Sequence, residues 1–232
     1  MNYNQQTYSG VGTDTRVSAV MKRVYLTMTI GLAFTGVIAY FCGNSYAYLQ
    51  FLAQNSWMLW ALFIAEIGIV LGVSAGINRL SSGVATLLFI AFAALNGMSL
   101  APIFVVYTDV LIAKTFFITA GVFGAMTIYG FCTNRDLTRI GSFLFMALIG
   151  LIIASVVNMF LHSKGFEFII SIAGVLIFVG LTAWDTQQMK RIALTAPDDS
   201  LGRLAVLGAL NLYLDFINLF LYLLRFFGNS ND

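Results

Sequence analysis

Seven uninterrupted apolar runs limit what this chain can become. They cover Val24–Cys42, Trp57–Ile77, Val84–Val106, Leu111–Cys132, Gly141–Leu161, Phe168–Met189 and Leu204–Phe227. About 20 mostly apolar residues carry a helix across the hydrocarbon core, and each run is of that order. A transmembrane barrel is the other spanning solution, but it needs short segments of alternating polarity. The expectation is an all-α polytopic membrane protein. It has one seven-helix domain over residues 19–232, preceded by a polar, irregular tail over residues 1–18.

Composition agrees. Only 9% of the residues are charged and 59% are hydrophobic, whereas a soluble domain carries about 25% charged residues. Such a chain cannot cover a water-facing surface, so a soluble enzyme is excluded, and so is disorder. A net charge of +2 gives no clustered basic footprint for nucleic acid. The partners to expect are membrane lipid and small ions.

Lys and Arg near the span ends set orientation. Arg16, Lys22, Arg23, Arg79, Arg135, Arg139, Lys190, Arg191 and Arg203 fall on one side. Lys114, Lys164 and Arg225 fall on the other. This places the N-terminus in the cytoplasm and, with seven spans, the C-terminus outside. The first apolar run follows a long polar lead and Lys22-Arg23, so it reads as a retained helix rather than a signal segment.

Cys42 and Cys132 fall at opposite ends of spans, about 30 Å apart, and no disulfide between them is expected. The single histidine, His162, reads as a surface residue at the outer end of span five. Span two carries Gly68, Gly72 and Gly76, a small-residue stripe of the kind that lets helix backbones approach in lipid. Tight intramolecular packing is expected there. Glu66 lies about 200° around the helix from Gly68 and points elsewhere in the bundle. Span three carries Asn96-Gly97-Met98-Ser99-Leu100-Ala101-Pro102. The proline frees a carbonyl and bends the helix, with serine and asparagine nearby to satisfy it. Tyr213 and Tyr222, among many span aromatics, read as lipid or interface contacts.

Three carboxylates lie inside spans: Glu66, Asp185 and Asp215. Each costs about 2.5–3.5 kcal/mol at mid-membrane on insertion scales, so each is a functional candidate by default. Asp185 is about one turn from the cytoplasmic end of span six, and Asp215 about 16 Å into span seven. Asn211, Asp215, Asn218 and Tyr222 form one polar stripe on span seven, which therefore faces the bundle interior. Two carboxylates meeting at low dielectric cannot both stay ionised and titrate as a unit. That arrangement is a proton-sensitive latch. Sharing one proton holds two helices together, and gaining or losing protons loosens them. With Asn211, Asn218, backbone and water, the same oxygens suit a weak, transient calcium site. Arg79 could pair with the two aspartates in a closed state. The plainer reading of the pair is structural, a hydrogen bond that fixes packing.

The run Leu212-Tyr213-Leu214-Asp215-Phe216-Ile217-Asn218-Leu219-Phe220, continuing to Gly228, resembles the transmembrane Bax-inhibitor-motif family, especially its bacterial members. Trp184-Asp185-Thr186-Gln187 resembles the family's span-six element, and Asn96 to Ile103 its span-three Gly…Pro element. Glu66 matches an acidic residue of its span two. The resemblance implies seven helices with the last enclosed by the other six. It implies a pH-sensitive calcium leak, with the paired aspartates of the pH sensor at Asp185 and Asp215. It also implies a latch arginine near the end of span two. Arg79 is the arginine there, two residues beyond Ile77. No enzyme activity and no resident cofactor are implied, calcium being the permeant ion. A bacterial inner membrane is the expected location.

Some bacterial relatives regulate other membrane proteins, such as a membrane-bound protease, and the polar tail would be the contact in that alternative. Aspartates on spans six and seven also superficially match an intramembrane aspartyl protease. Asp215, however, is preceded by Leu212-Tyr213-Leu214 and no proline follows it. A retinal protein is excluded because span seven has no lysine for a Schiff base.

Overall fold

The computed structural model describes residues 3–229, with side chains over residues 15–228. Its helices are α1 (Tyr3–Gly43), α2 (Tyr46–Gln54), α3 (Trp57–Gly76), α4 (Ser82–Leu100), α5 (Ile103–Val106), α6 (Asp109–Cys132), α7 (Thr138–Leu161), α8 (Lys164–Thr195) and α9 (Leu201–Asn229). No strand occurs among the described residues. Among the described residues, seven helical segments are long and apolar enough to cross a membrane, as the apolar runs predict. α9 is the most buried of them, with 67% of its apolar window inside against 44% for α8.

Two details of the helix ends differ from the sequence reading. The boundary expected at residue 18 falls inside α1, and Val17 is already buried. α8 extends several residues past both ends of the expected Phe168–Met189 run. Polar residues end an apolar run, but they do not end a helix.

The chain divides into two compact units. One holds residues 1–106 with 189–213, the other residues 107–188 with 214–232. In the first unit α4 packs against both α1 and α3. The approach to α1 is close at Gly97, where a Cβ would stand 2.8 Å from the Thr35 carbonyl oxygen and from Ile38 Cβ. The first turns are capped by hydroxyls. Ser45 accepts from the Tyr48 amide in α2, and Ser81 accepts from the Val84 amide in α4, each satisfying one orphan donor.

Pro102 separates α4 from the single turn of α5. Lacking an N–H, it cannot bond the Met98 carbonyl. That carbonyl accepts from the Ala101 amide at 3.4 Å and from the Tyr48 hydroxyl at 3.0 Å. The hydroxyl comes from α2, a short helix that none of the apolar runs predicts. Ser99, expected to serve the freed carbonyl, donates to the Asn96 carbonyl at 3.1 Å and to Glu66.

In the second unit α6 and α8 meet at Gly130, where a Cβ would collide with the Ala183 backbone. Gly141 of α7 lies against the Trp184 indole, and Gly174 of α8 against the Tyr222 ring. Phe116 and Phe123 of α6 meet Phe216 of α9 edge to face, the geometry that ring quadrupoles favour.

The span-two stripe does not pack as expected. No atom lies within 4 Å of a Cβ built on Gly68 or Gly72, and Gly76 meets only Leu80 of the turn that follows. Gly68 and Gly72 are exposed. Glu66 occupies the inward face of α3, and residues about 200° from it turn outward.

Candidate functional site

Asp185 of α8 and Asp215 of α9 both lie in the second unit. Their side chains are joined by a hydrogen bond. A carboxylate only accepts, so a bond between two carboxyl groups requires one proton held between them. Asp215 is 4% exposed, and its Oδ2 is buried without a hydrogen-bond partner. On either side of Asp185 in sequence, Trp184 Nε1 and Thr186 Oγ1 are also buried and unpartnered. Buried polar atoms left without partners are costly. Around the aspartates such atoms accumulate.

Gln187, two residues on, anchors the same segment of α8. Its Oε1 accepts from the Leu137 amide at 2.9 Å, and its Nε2 donates to the Arg135 carbonyl at 2.8 Å. The start of α7 is thereby tied to the helix that carries Asp185.

The remaining polar residues of the α9 stripe are placed differently. Asn218 donates to the Leu214 carbonyl of its own helix at 2.8 Å. Asn211 is half-buried and belongs to the first unit. Tyr222 stacks on Phe178, ring centroids 5.8 Å apart. Arg79 is exposed in the turn before α4, also in the first unit.

Glu66 is the centre of a second polar cluster, wholly within the first unit. It accepts from Asn96 Nδ2 at 3.1 Å and from the Ser99 hydroxyl at 2.6 Å. Asn96 Oδ1 in turn accepts from the Tyr213 hydroxyl at 2.8 Å. The Tyr213 oxygen lies 2.7 Å from Thr35 Oγ1, which reaches the Ala93 carbonyl at 2.8 Å. The two hydroxyls hold two hydrogens for these three contacts, so at any moment one of them is unmade. Tyr213 is fully buried, with Phe89 and Phe92 edge to face against it. It is neither a lipid nor an interface contact. The sequence signal was its position two residues before Asp215, about 200° around the helix, which faces it into a different set of helices.

His162 is exposed and ends α7 in the left-handed region at φ 50°, a surface position as expected. Beside it a cavity of about 380 Å³ is lined in part by Glu167 and Arg225, which pair at 3.3 Å. Cys42 and Cys132 are both free thiols. Among the described residues no three His, Cys, Asp or Glu side chains gather as a metal site. The aspartate pair offers two carboxylates, short of the six to eight oxygens of a tight calcium site.

Residues 17–232 match the family described as inhibitor of apoptosis-promoting Bax1. The chain is 49% identical to the inner membrane protein YbhL of Escherichia coli K12, over 90% of this chain and 91% of that protein. It is 46% identical to an uncharacterized protein of Borreliella burgdorferi, over 91% of this chain and 92% of the relative. It is 44% identical to the uncharacterized protein RP147 of Rickettsia prowazekii, over 94% and 93% of the two chains. The resemblance carried by the last helix and by the Asp185 and Pro102 segments thus extends along almost the whole chain, which belongs to the Bax-inhibitor family.

Proposed function

We propose that this protein is a passive, pH-sensitive cation leak of a bacterial inner membrane, with calcium as the permeant ion. The observation that supports it is the hydrogen-bonded pair of Asp185 and Asp215, held inside an apolar helix bundle. A proton between the two carboxyls ties α8 to α9 in the closed state. Loss of that proton sets two like charges side by side and frees oxygens that a hard cation prefers. A second proton replaces the charge-assisted bond by a neutral, weaker one. Either change loosens the junction. Asn218, on α9 in the same unit, is a further polar residue of the proposed pathway. With the arginine-rich ends in the cytoplasm, the N-terminus is cytoplasmic and the aspartates lie in the cytoplasmic half. The leak needs no cofactor and no catalytic step.

The test is calcium entry into proteoliposomes holding the purified chain. Flux above that of protein-free vesicles, altered in Asp185→Asn and Asp215→Asn, supports the reading. Flux equal to that of empty vesicles at every pH sinks it.

A further inference from the structure

Three arginines of the first unit belong to segments that meet at one end of its helices, and among the described residues none is ion-paired with a carboxylate. Arg23 of α1 donates from Nη2 to Ser82 Oγ at 2.9 Å, in the first turn of α4. Gly202, in the first turn of α9, fits into the same place. A Cβ there would stand 3.0 Å from Ser82 Oγ and 3.3 Å from Arg23 Nη1. The starts of α4 and α9 therefore meet around Arg23. Arg203 follows Gly202, and its Nε is buried with no hydrogen-bond partner. Arg79 is exposed in the turn that leads into Ser82.

Acid groups do not neutralise this cluster. In the connection between α8 and α9, Asp198 pairs with Arg16 at 3.4 Å, and Asp199 is exposed. No ion pair joins Arg23, Arg79 or Arg203 to a carboxylate among the described residues. The cluster sits where apolar spans begin, which is headgroup depth.

We propose that Arg23, Arg79 and Arg203 bind a phosphate group, supplied by the headgroup of an anionic phospholipid. A guanidinium donates two parallel hydrogen bonds to phosphate oxygens. A phosphate offers enough acceptors for several arginines and for the orphaned Nε of Arg203. Basic pockets between spanning helices take anionic headgroups in this way. The positive end of α4 adds to the same field. This site belongs to the first unit and does not depend on the leak.

The experiment is native mass spectrometry of the full chain in detergent, titrated with phosphatidylglycerol or phosphatidylcholine, and separately with inorganic phosphate. Wild type retains phosphatidylglycerol preferentially. Arg23→Gln and Arg203→Gln each weaken it about fivefold, while Lys114→Gln, in the second unit, leaves it unchanged. Inorganic phosphate that binds with the same arginine dependence and displaces the lipid supports the phosphate site, with the free ion as its source. Should a Gln variant fail to fold, Arg23→Lys and Arg203→Lys keep the charge but not the fork, and the same loss of preference is expected. Equal retention of both lipids with no phosphate binding overturns the proposal. So does a loss in Lys114→Gln as large as in the arginine variants.

Discussion

Asp215 of α9 is hydrogen-bonded to Asp185 of α8, and no amide, hydroxyl or other ordinary donor reaches its buried Oδ2. The bond between the two carboxyls holds only while a proton lies between them. Asn can donate to the remaining carboxylate without a shared proton. Asp215→Asn should therefore keep the fold, with an apparent Tm within a few degrees of wild type. Asp215→Leu leaves Asp185 as an unpaired charge and should destabilise by about 3–5 kcal/mol. Thermal unfolding of the two variants in detergent distinguishes them. Equal stability would mean that the pair is not formed.

The Glu66 cluster predicts a graded loss. Tyr213→Phe removes the hydroxyl that reaches Asn96 and Thr35. It should destabilise by about 1–2 kcal/mol. Ser99→Ala removes the 2.6 Å donor to Glu66 and should cost about 1–3 kcal/mol, the penalty of a buried acceptor left unsatisfied. A double-mutant cycle of Glu66→Gln with Ser99→Ala should show coupling well above 0.5 kcal/mol. Strict additivity would place the two residues out of contact.

Tyr48 gives a pH prediction outside the spans. Burial, then the nearby Cys42 charge, pushes its phenol up to about 12 from an ordinary 10.0. The neutral form is favoured in the fold, so its contribution to stability is complete below pH 10.0 and is lost as the pH rises through about 12. Ultraviolet titration should show one late-ionising phenol fewer in Tyr48→Phe than in wild type. Loss of the bond to the Met98 carbonyl should lower stability by about 0.5–1.5 kcal/mol in that variant.

The glycines separate into two groups. Gly68→Ala and Gly72→Ala meet open space and should stabilise α3 by about 0.5–1 kcal/mol through helix propensity. Gly130→Ala and Gly97→Ala drive a methyl into the backbone of a neighbouring helix and should destabilise by about 1–3 kcal/mol. Equal effects in both groups would contradict the helix seams described above.

The seven spans were legible because hydrophobic length alone marks a membrane helix. The carboxylates were legible because charge inside a span is rare. Which face of α3 is inward was not legible from its glycines, since lipid and core are equally apolar. Only Glu66 marked it. The partners of Glu66 were obscured for a related reason. Asn96, Ser99 and Tyr213 look like ordinary span residues until their helices are brought together. α2 escaped notice because it is too short to span, and its Tyr48 reaches the Met98 carbonyl freed by Pro102 only through tertiary structure.

The most direct test of the central claim is the pH profile of calcium flux in proteoliposomes between about pH 5 and 9. With one proton between Asp185 and Asp215 the junction is closed, so wild-type flux should pass through a minimum. It should rise about tenfold on either side, the effect of a change of about 1.4 kcal/mol. Asp185→Asn and Asp215→Asn should flatten that profile. A wild-type profile retained unchanged in both variants would contradict the account.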